Sequence, residues 1–190
     1  FTGLAEGIYY LNATAGDIIG EVSNTSTRLI VLDRTNPNIT LNFYSNVTHV
    51  KNQTQNYTLN LTDNLGIANA TIYIYNNSNY LVNQTTIVGY TVGTIVTSSG
   101  VIIVLVDNIY TWFYETFDWA GNFFISGNNT ITIDTVAPVI SGITYSPNAN
   151  ASLDPGVVIS FNATLTDVWA AVNKVVLEIY NATWNNFTIK

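Results

Sequence analysis

Residues 107–122 read DNIYTWFYETFDWAGN, and this stretch decides the fold class. Tyr110, Trp112 and Tyr114 recur at every second position, which is the period of a β-strand with one buried face. The Gly-Asn pair at its end then favours a hairpin turn, because both residues tolerate positive φ. Similar alternating segments, separated by Gly, Asn and Asp, fill the rest of the chain, and no stretch has a helical period. The sequence therefore predicts an all-β protein.

The chain contains an internal repeat. The residues that recur after the same interval of 101 residues include Ile8, Tyr9, Asp17, Gly20, Ile30, Asp33, Pro37, Tyr44 and Ser45. Further along, the tripeptide at 61–63 recurs at 165–167, and the tripeptide at 74–76 recurs at 179–181. The order is kept while the interval drifts slowly, as expected for related domains.

The second copy of this pattern carries a family resemblance. From Asp107 to the IDTVAP run that ends at Pro138, it resembles the last two strands and the linker of tandem immunoglobulin-like (Ig-like) surface domains. Tyr110 resembles the tyrosine corner at the start of strand F, and Trp112 stands where antibody domains carry a disulfide Cys. The resemblance implies three parts, which are F- and G-like strands over 1–36, a complete Ig-like β-sandwich over 37–137, and an incomplete half-sandwich over 138–190.

A half-sandwich alone would expose one apolar face and a row of unpaired backbone groups. Each large side chain left unburied costs about 1.5–3 kcal/mol, so a few of them would exceed the stability of a typical domain, about 5–15 kcal/mol. We therefore expect completion in trans by a neighbour's N-terminal strands, which gives a head-to-tail homopolymer. The predicted donor residues are Ile8, Tyr9, Leu11, Ile18, Ile19, Val22, Leu29, Ile30, Val31 and Leu32. The predicted acceptor groove consists of Val139, Ile143, Val157, Ile159, Phe161, Leu165, Val175, Leu177 and Ile179.

N-glycosylation sequons are unusually dense. They begin at Asn12, Asn24, Asn38, Asn46, Asn52, Asn56, Asn60, Asn69, Asn76, Asn83, Asn128, Asn150, Asn162, Asn181 and Asn186. Composition alone would give about five such N-x-[ST] motifs, so the excess is threefold. This density predicts a cell-surface glycoprotein, in a mature form from which a signal peptide has been removed, with covalent N-glycans that keep a weakly charged chain in solution.

Composition, sequon density and organisation over the whole chain together resemble the subunits of archaeal threads. These are thin, heavily glycosylated surface filaments linked by donor-strand complementation, with a pilin-like β-sandwich that has no cysteines. The resemblance implies a structural role in an extracellular filament that serves adhesion or biofilm formation. This chain departs from the family in offering two donor strands rather than one.

Several function classes are disfavoured. The net charge of −7 argues against nucleic acid as a partner. The longest apolar run, 101–106, is far shorter than the roughly 20 residues of a transmembrane helix, so membrane insertion is not expected. There is no Cys, no nucleotide or hydrolase motif, and one histidine, His49, in a polar segment expected to be an A–B loop. An enzyme is not expected.

No cofactor is expected, although calcium is an alternative. Asp17, Asp33, Asp118, Asp134, Asp154 and Asp167 lie near turns and linkers, where carboxylates could hold Ca²⁺. The competing interpretation is that each Asp binds the backbone of its own turn.

Two other functions stay open at this point. The chain could be a module of a long tandem Ig-like surface or S-layer protein, whose missing strands lie elsewhere in that polypeptide. It could also be an adhesin domain that binds a surface or glycan ligand. Tyr110, Trp112 and Tyr114 would form a sugar-stacking strip if exposed, but their place in strand F favours the core.

Overall fold

The computed structural model describes residues 3–42, 48–147, 154–180, 183 and 186–189. Seventeen β-strands and no helix occur in these parts of the chain, which confirms the all-β prediction. The N-terminal strands are β1 (Gly7–Leu11), β2 (Thr14–Gly16), β3 (Val22–Asn24) and β4 (Arg28–Leu32). The central strands are β5 (Asn38–Leu41), β6 (Thr48–Val50), β7 (Thr54–Thr62), β8 (Ile67–Asn76), β9 (Leu81–Ile87), β10 (Val96–Val104), β11 (Asn108–Asp118), β12 (Phe123–Ile125) and β13 (Asn129–Ile133). The C-terminal strands are β14 (Val139–Ser146), β15 (Ser160–Thr166), β16 (Leu177–Tyr180) and β17 (Asn186–Ile189).

The central strands form a β-sandwich. One sheet has the order β10-β7-β5, and the other has the order β6-β13-β11-β8-β9, with β12 paired to the end of β11. Alternate residues of both sheets point inward, and the ring of Tyr57 meets that of Trp112 edge to face at 5.0 Å. The buried core consists of Ile39, Tyr57, Leu59, Leu61, Ile67, Ala70, Ile72, Ile74, Ile103, Leu105, Tyr110, Trp112, Tyr114, Ile131 and Ile133.

The N-terminal strands repeat the pairing of β11 with β12 and β13. Gly7 lies opposite Leu32 in the β1–β4 ladder, and Asn108 lies opposite Ile133 in the β11–β13 ladder, 101 residues later. The β2–β3 ladder likewise matches the β11–β12 ladder, because Thr14 lies opposite Asn24 and Glu115 lies opposite Ile125, 101 residues later. Even the tyrosine corner is repeated, because the Tyr9 hydroxyl donates to the carbonyl four residues upstream at 2.8 Å. In β11 the equivalent distance is 3.0 Å.

The C-terminal strands repeat the other half of the sandwich. In the β14–β15 ladder Ile140 lies opposite Leu165, as Ile39 lies opposite Leu61 in the β5–β7 ladder. Next to the connecting turn of the β16–β17 ladder, Tyr180 lies opposite Asn186, as Tyr75 lies opposite Leu81 in the β8–β9 ladder, 105 residues earlier. The two terminal parts thus carry different strands of the same kind of sandwich.

Candidate functional site

The β1–β4 hairpin presents an apolar surface that we call the donor face. It consists of Tyr9, Leu11, Ile30 and Leu32, which correspond to Tyr110, Trp112, Ile131 and Ile133 of the core. Those core residues are at most 2% exposed, whereas Leu11 is 46% and Ile30 39% exposed. The donor face lines a depression of about 610 Å³ together with Leu4. Side chains at the same strand positions are therefore buried in the central sandwich and half-buried or exposed in the β1–β4 hairpin.

The remaining predicted donor residues lie elsewhere on this segment. Ile8, Leu29 and Val31 are on the opposite face of the hairpin, because side chains alternate along a strand. Ile18 and Ile19 lie in the turn between β2 and β3, and Val22 begins β3; all three are exposed. Only the four residues of the donor face have buried counterparts that line the core from strands β11 and β13.

The C-terminal strands present a second apolar surface, which we call the acceptor face. It consists of Ile140, Phe161, Ala163, Leu165, Leu177 and Ile179, the counterparts of Ile39, Tyr57, Leu59, Leu61, Ile72 and Ile74. Five of these residues, with Ile143, Val175 and Val176, line a depression of about 340 Å³. Ile140 is 58% exposed, against 9% for Ile39.

Several residues that were predicted to form the acceptor groove lie outside the acceptor face and its depression. Val139 lies opposite Thr166, on the face of β14 that points away from Ile140. Val157 and Ile159 precede β15 and are exposed, outside the depression. Sequence reasoning missed Ile140 and Val176. The repeat could have revealed Ile140, because Ile39 lies 101 residues before it.

Both surfaces end at an open strand edge. In the described chain β1 pairs only with β4, and β16 pairs only with β17. Their counterparts β11 and β8 pair with each other, with Trp112 opposite Ile74. An unpaired edge beside an apolar face is the arrangement that accepts a further strand.

The sequons lie at the surface wherever their side chains are described. Those at Asn12, Asn24, Asn38, Asn52, Asn56, Asn60, Asn69, Asn76, Asn83, Asn128 and Asn162 are exposed or half-exposed. Asn162 is one of the residues that line the acceptor depression. Asn46, Asn150 and Asn181 fall outside the described residues, as does the side chain of Asn186. The exposed positions are accessible to a glycosylating enzyme.

Tyr110, Trp112 and Tyr114 of β11 are core residues and not a sugar-binding strip. Trp112 and Tyr114 are at most 1% exposed, and the Tyr114 hydroxyl donates to the Tyr57 carbonyl at 2.9 Å. Burial raises the pKa of the Tyr114 phenol above its ordinary value. On the outer face of the same sheet, Phe113 stacks on Tyr73 at 5.1 Å.

Most of the aspartates considered for calcium bind their own turns. Asp17 Oδ1 accepts from two backbone N–H groups of the β2–β3 turn, and Asp134 Oδ1 accepts from Val136. The N–H of Ala170, more than that of Trp169, holds the pKa of the half-buried Asp167 carboxyl below its ordinary value. Asp33 and Asp118 also bind their turns, but in addition their carboxylates converge with that of Asp63, a residue that sequence reasoning missed.

His49, the histidine expected in an A–B loop, lies in strand β6, and it is exposed.

No protein-family model matches this chain, and no curated protein is significantly similar to it in sequence. Within the described residues, no helix is long and apolar enough to cross a membrane. The donor face, the acceptor face and the two open edges are thus the features from which a function is inferred.

Proposed function

We propose that this protein is the structural subunit of an extracellular surface filament that polymerises head to tail by donor-strand complementation. The β1–β4 hairpin of one copy would complete the β14–β17 strands of the next. One observation carries the proposal, which is that the two terminal parts have the ladders of complementary halves of the central sandwich.

The central sandwich supplies the expected register of the contact. There β11 lies antiparallel to β8, with Trp112 opposite Ile74. Leu11 is the counterpart of Trp112, and Ile179 is the counterpart of Ile74. In the filament β1 of one subunit would therefore lie antiparallel to β16 of its neighbour, with Leu11 opposite Ile179.

Burial of apolar surface would drive this association. Leu11 and Ile30 on the donor side would cover Ile140 and Phe161 on the acceptor side, and all four are at least 39% exposed in the single chain. Burying each would contribute about 1.5–3 kcal/mol before the cost of association is subtracted. The two surfaces differ, so the contact is heterologous, and a heterologous contact that does not close on itself forms a filament.

The sequons support an extracellular location for such a filament. Asn12 is exposed and is the counterpart of Phe113, which stacks on Tyr73 on the outer face of its sheet, so a glycan at Asn12 is compatible with the proposed contact. Glycans on the exposed sequons would keep the filament soluble despite the low content of charged residues, 9%. Adhesion or biofilm formation, as in archaeal threads, is the role that such a filament would serve.

A second candidate is a module of a longer tandem Ig-like surface protein. The same complementary halves favour it, because adjacent repeats of one polypeptide could supply the missing strands. A glycan-binding adhesin is supported only by the outward stack of Phe113 on Tyr73.

Negative-stain imaging of native material, with mass spectrometry of the deglycosylated protein, distinguishes the filament subunit from the module of a longer protein. Filaments that release a ~21 kDa chain support the proposal, and a much longer polypeptide supports the module.

A disulfide trap tests the register directly. The chain has no cysteine, so the double variant L11C/I179C contains only the engineered pair. Directly opposed residues of neighbouring strands lie within the Cα separation that a disulfide requires. Oxidation of the assembled protein should give a ladder of covalent oligomers on a non-reducing gel.

The matched control is I8C/I179C. Ile8 lies three residues from Leu11 and on the opposite face of β1, so this pair should give no ladder. A monomer with an internal disulfide in L11C/I179C would mean that each chain completes itself, and the proposal would be wrong. Equal ladders from both variants would show that the trapping is unspecific and would contradict the register.

A further inference from the structure

Three carboxylates from three separate segments converge at one end of the central sandwich. Asp33 follows β4, Asp63 follows β7, and Asp118 ends β11. One oxygen of each lies within 4.8 Å of those of the other two. Asp63 is 8% and Asp118 3% exposed, so two members of this carboxylate cluster are buried.

Turn formation accounts for only part of this arrangement. Asp63 Oδ2 accepts from the N–H groups of Leu65 and Gly66, at 2.9 and 2.7 Å. Asp33 Oδ1 accepts from the N–H of Thr35 at 2.9 Å. Asp118 Oδ1 accepts from three successive N–H groups of its hairpin turn. Each carboxylate is thereby held in place through one oxygen, and the second oxygen of Asp33 and of Asp63 is left without a donor.

The left-over oxygens need a positive partner. Asp63 Oδ1 and Asp33 Oδ2 are buried and have no hydrogen-bond partner. Asn122 Nδ2 donates to Asp118 Oδ2 and to the Asp33 carbonyl, and no Lys or Arg of the described chain forms an ion pair with the cluster. Buried oxygens of carboxylates are rarely left without a donor or a cation, because removing them from water is costly.

We propose that the carboxylate cluster binds one Ca²⁺ ion. Calcium takes oxygen ligands at 2.3–2.6 Å, so two ligands on opposite sides of the ion lie about 5 Å apart. Oxygens within 4.8 Å of one another fit that span. The site offers neither nitrogen nor sulfur, which disfavours zinc, and its three protein carboxylates are more than the one or two that Mg²⁺ usually takes. The ion would fasten the segment that bears Asp33, and with it the donor hairpin, to two loops of the sandwich.

The internal repeat extends this inference to the contact between subunits, an extension that rests on the proposed function. Asp134 and Asp167 are the counterparts of Asp33 and Asp63, and their carboxyl groups are close enough for Asp134 to contribute to the lowered pKa of Asp167. Asp17 caps its turn as Asp118 does, with Gly20 at φ 93° where the later turn has Gly121 at φ 94°. Insertion of the donor hairpin would bring Asp17 of one subunit to Asp134 and Asp167 of the next, completing a second site.

Calorimetric titration of the full chain with CaCl₂ at neutral pH tests the first site. We expect one ion per monomeric chain with a Kd at or below about 1 mM, and a higher midpoint of thermal unfolding in calcium than in chelator. D63N and D33N should each weaken binding at least tenfold. D154N is the matched control and should bind as the unmodified chain does, because Asp154 lies outside the cluster.

The outcomes separate the two levels of the inference. A folded chain that shows neither binding heat nor a shifted midpoint at about ten times that concentration overturns the calcium site, as does unchanged binding by D33N. The I30D variant should not assemble and should still bind one ion per chain. Filaments of the unmodified chain should bind two ions per subunit, and filaments of D17N should lose only the ion of the intersubunit site. Filaments that hold one ion refute the intersubunit site and leave the proposed function standing. One ion with no assembly by the unmodified chain refutes the proposed function and leaves the first site standing.

Discussion

The β1–β4 hairpin and the β11–β13 ladder have the same register, and they differ in what covers them. Trp112 is 1% exposed because the strands of the facing sheet pack on it, whereas Leu11, at the equivalent position, is 46% exposed. Backbone pairing, the tyrosine corner and the Asp-capped turn are present in both places. The comparison shows that local sequence specifies the hairpin, while its burial depends on strands supplied from elsewhere.

Truncating the equivalent positions should give the largest contrast. Trp112→Ala removes a fully buried ring from the core and should lower the free energy of unfolding by about 3–5 kcal/mol. Leu11→Ala should leave the stability of the single chain nearly unchanged, because the side chain is half in solvent, and should instead weaken assembly. Urea unfolding of the monomer, with sedimentation for assembly, measures both. A loss of stability in Leu11→Ala as large as that in Trp112→Ala would mean that the donor face is already covered within its own chain.

Much of the strand arrangement could be predicted from the sequence. The interval of 101 residues in the sequence repeat is also the interval between paired residues of the β1–β4 ladder and their counterparts in the β11–β13 ladder. The strands, the hairpin turn and the two incomplete ends follow from alternation and from the recurrence of residues such as Tyr9 and Asp17. Alternation within β14 does not decide which of its faces turns inward, since Val139 and Ile140 are both apolar and differ by one step of register. The repeat does decide it, because Ile140 corresponds to Ile39 and Val139 to Asn38. Asp33 and Asp118 were candidates for calcium from the sequence, but their convergence with Asp63 could not be predicted, because the three residues are far apart in sequence and meet only when the sheets pack.

A buried hydroxyl distinguishes the central copy further, since the N-terminal copy has Ala13 where β11 has Tyr114. Tyr114→Phe leaves the buried Tyr57 carbonyl without this donor and should cost about 1–3 kcal/mol. Because burial raises the pKa of Tyr114, the folded state keeps the phenol protonated above the pH at which the unfolded chain ionises. Its contribution is therefore complete below about pH 10 and is lost as the pH rises further.

Thermal unfolding between neutral and strongly alkaline pH checks this effect. The midpoint of the unmodified chain should fall steeply above about pH 10, and Tyr114→Phe should start lower and fall less. Tyr57, whose pKa burial also raises, keeps part of the slope in the variant. An identical pH dependence in the two proteins would contradict the assignment.

The tyrosine corner gives the smallest and most closely matched contrast. Tyr110 is 2% exposed and donates to the Val106 carbonyl, so Tyr110→Phe should cost about 1 kcal/mol. Tyr9 makes the same bond to Ala5 at the surface, where water can replace it, so Tyr9→Phe should cost the monomer less. In the assembled filament the Tyr9 bond would be buried like that of Tyr110, and the two costs should converge. Denaturant midpoints of monomer and filament for both variants measure this, and a Tyr9→Phe effect that is equal in the two states would argue that assembly does not bury the hairpin.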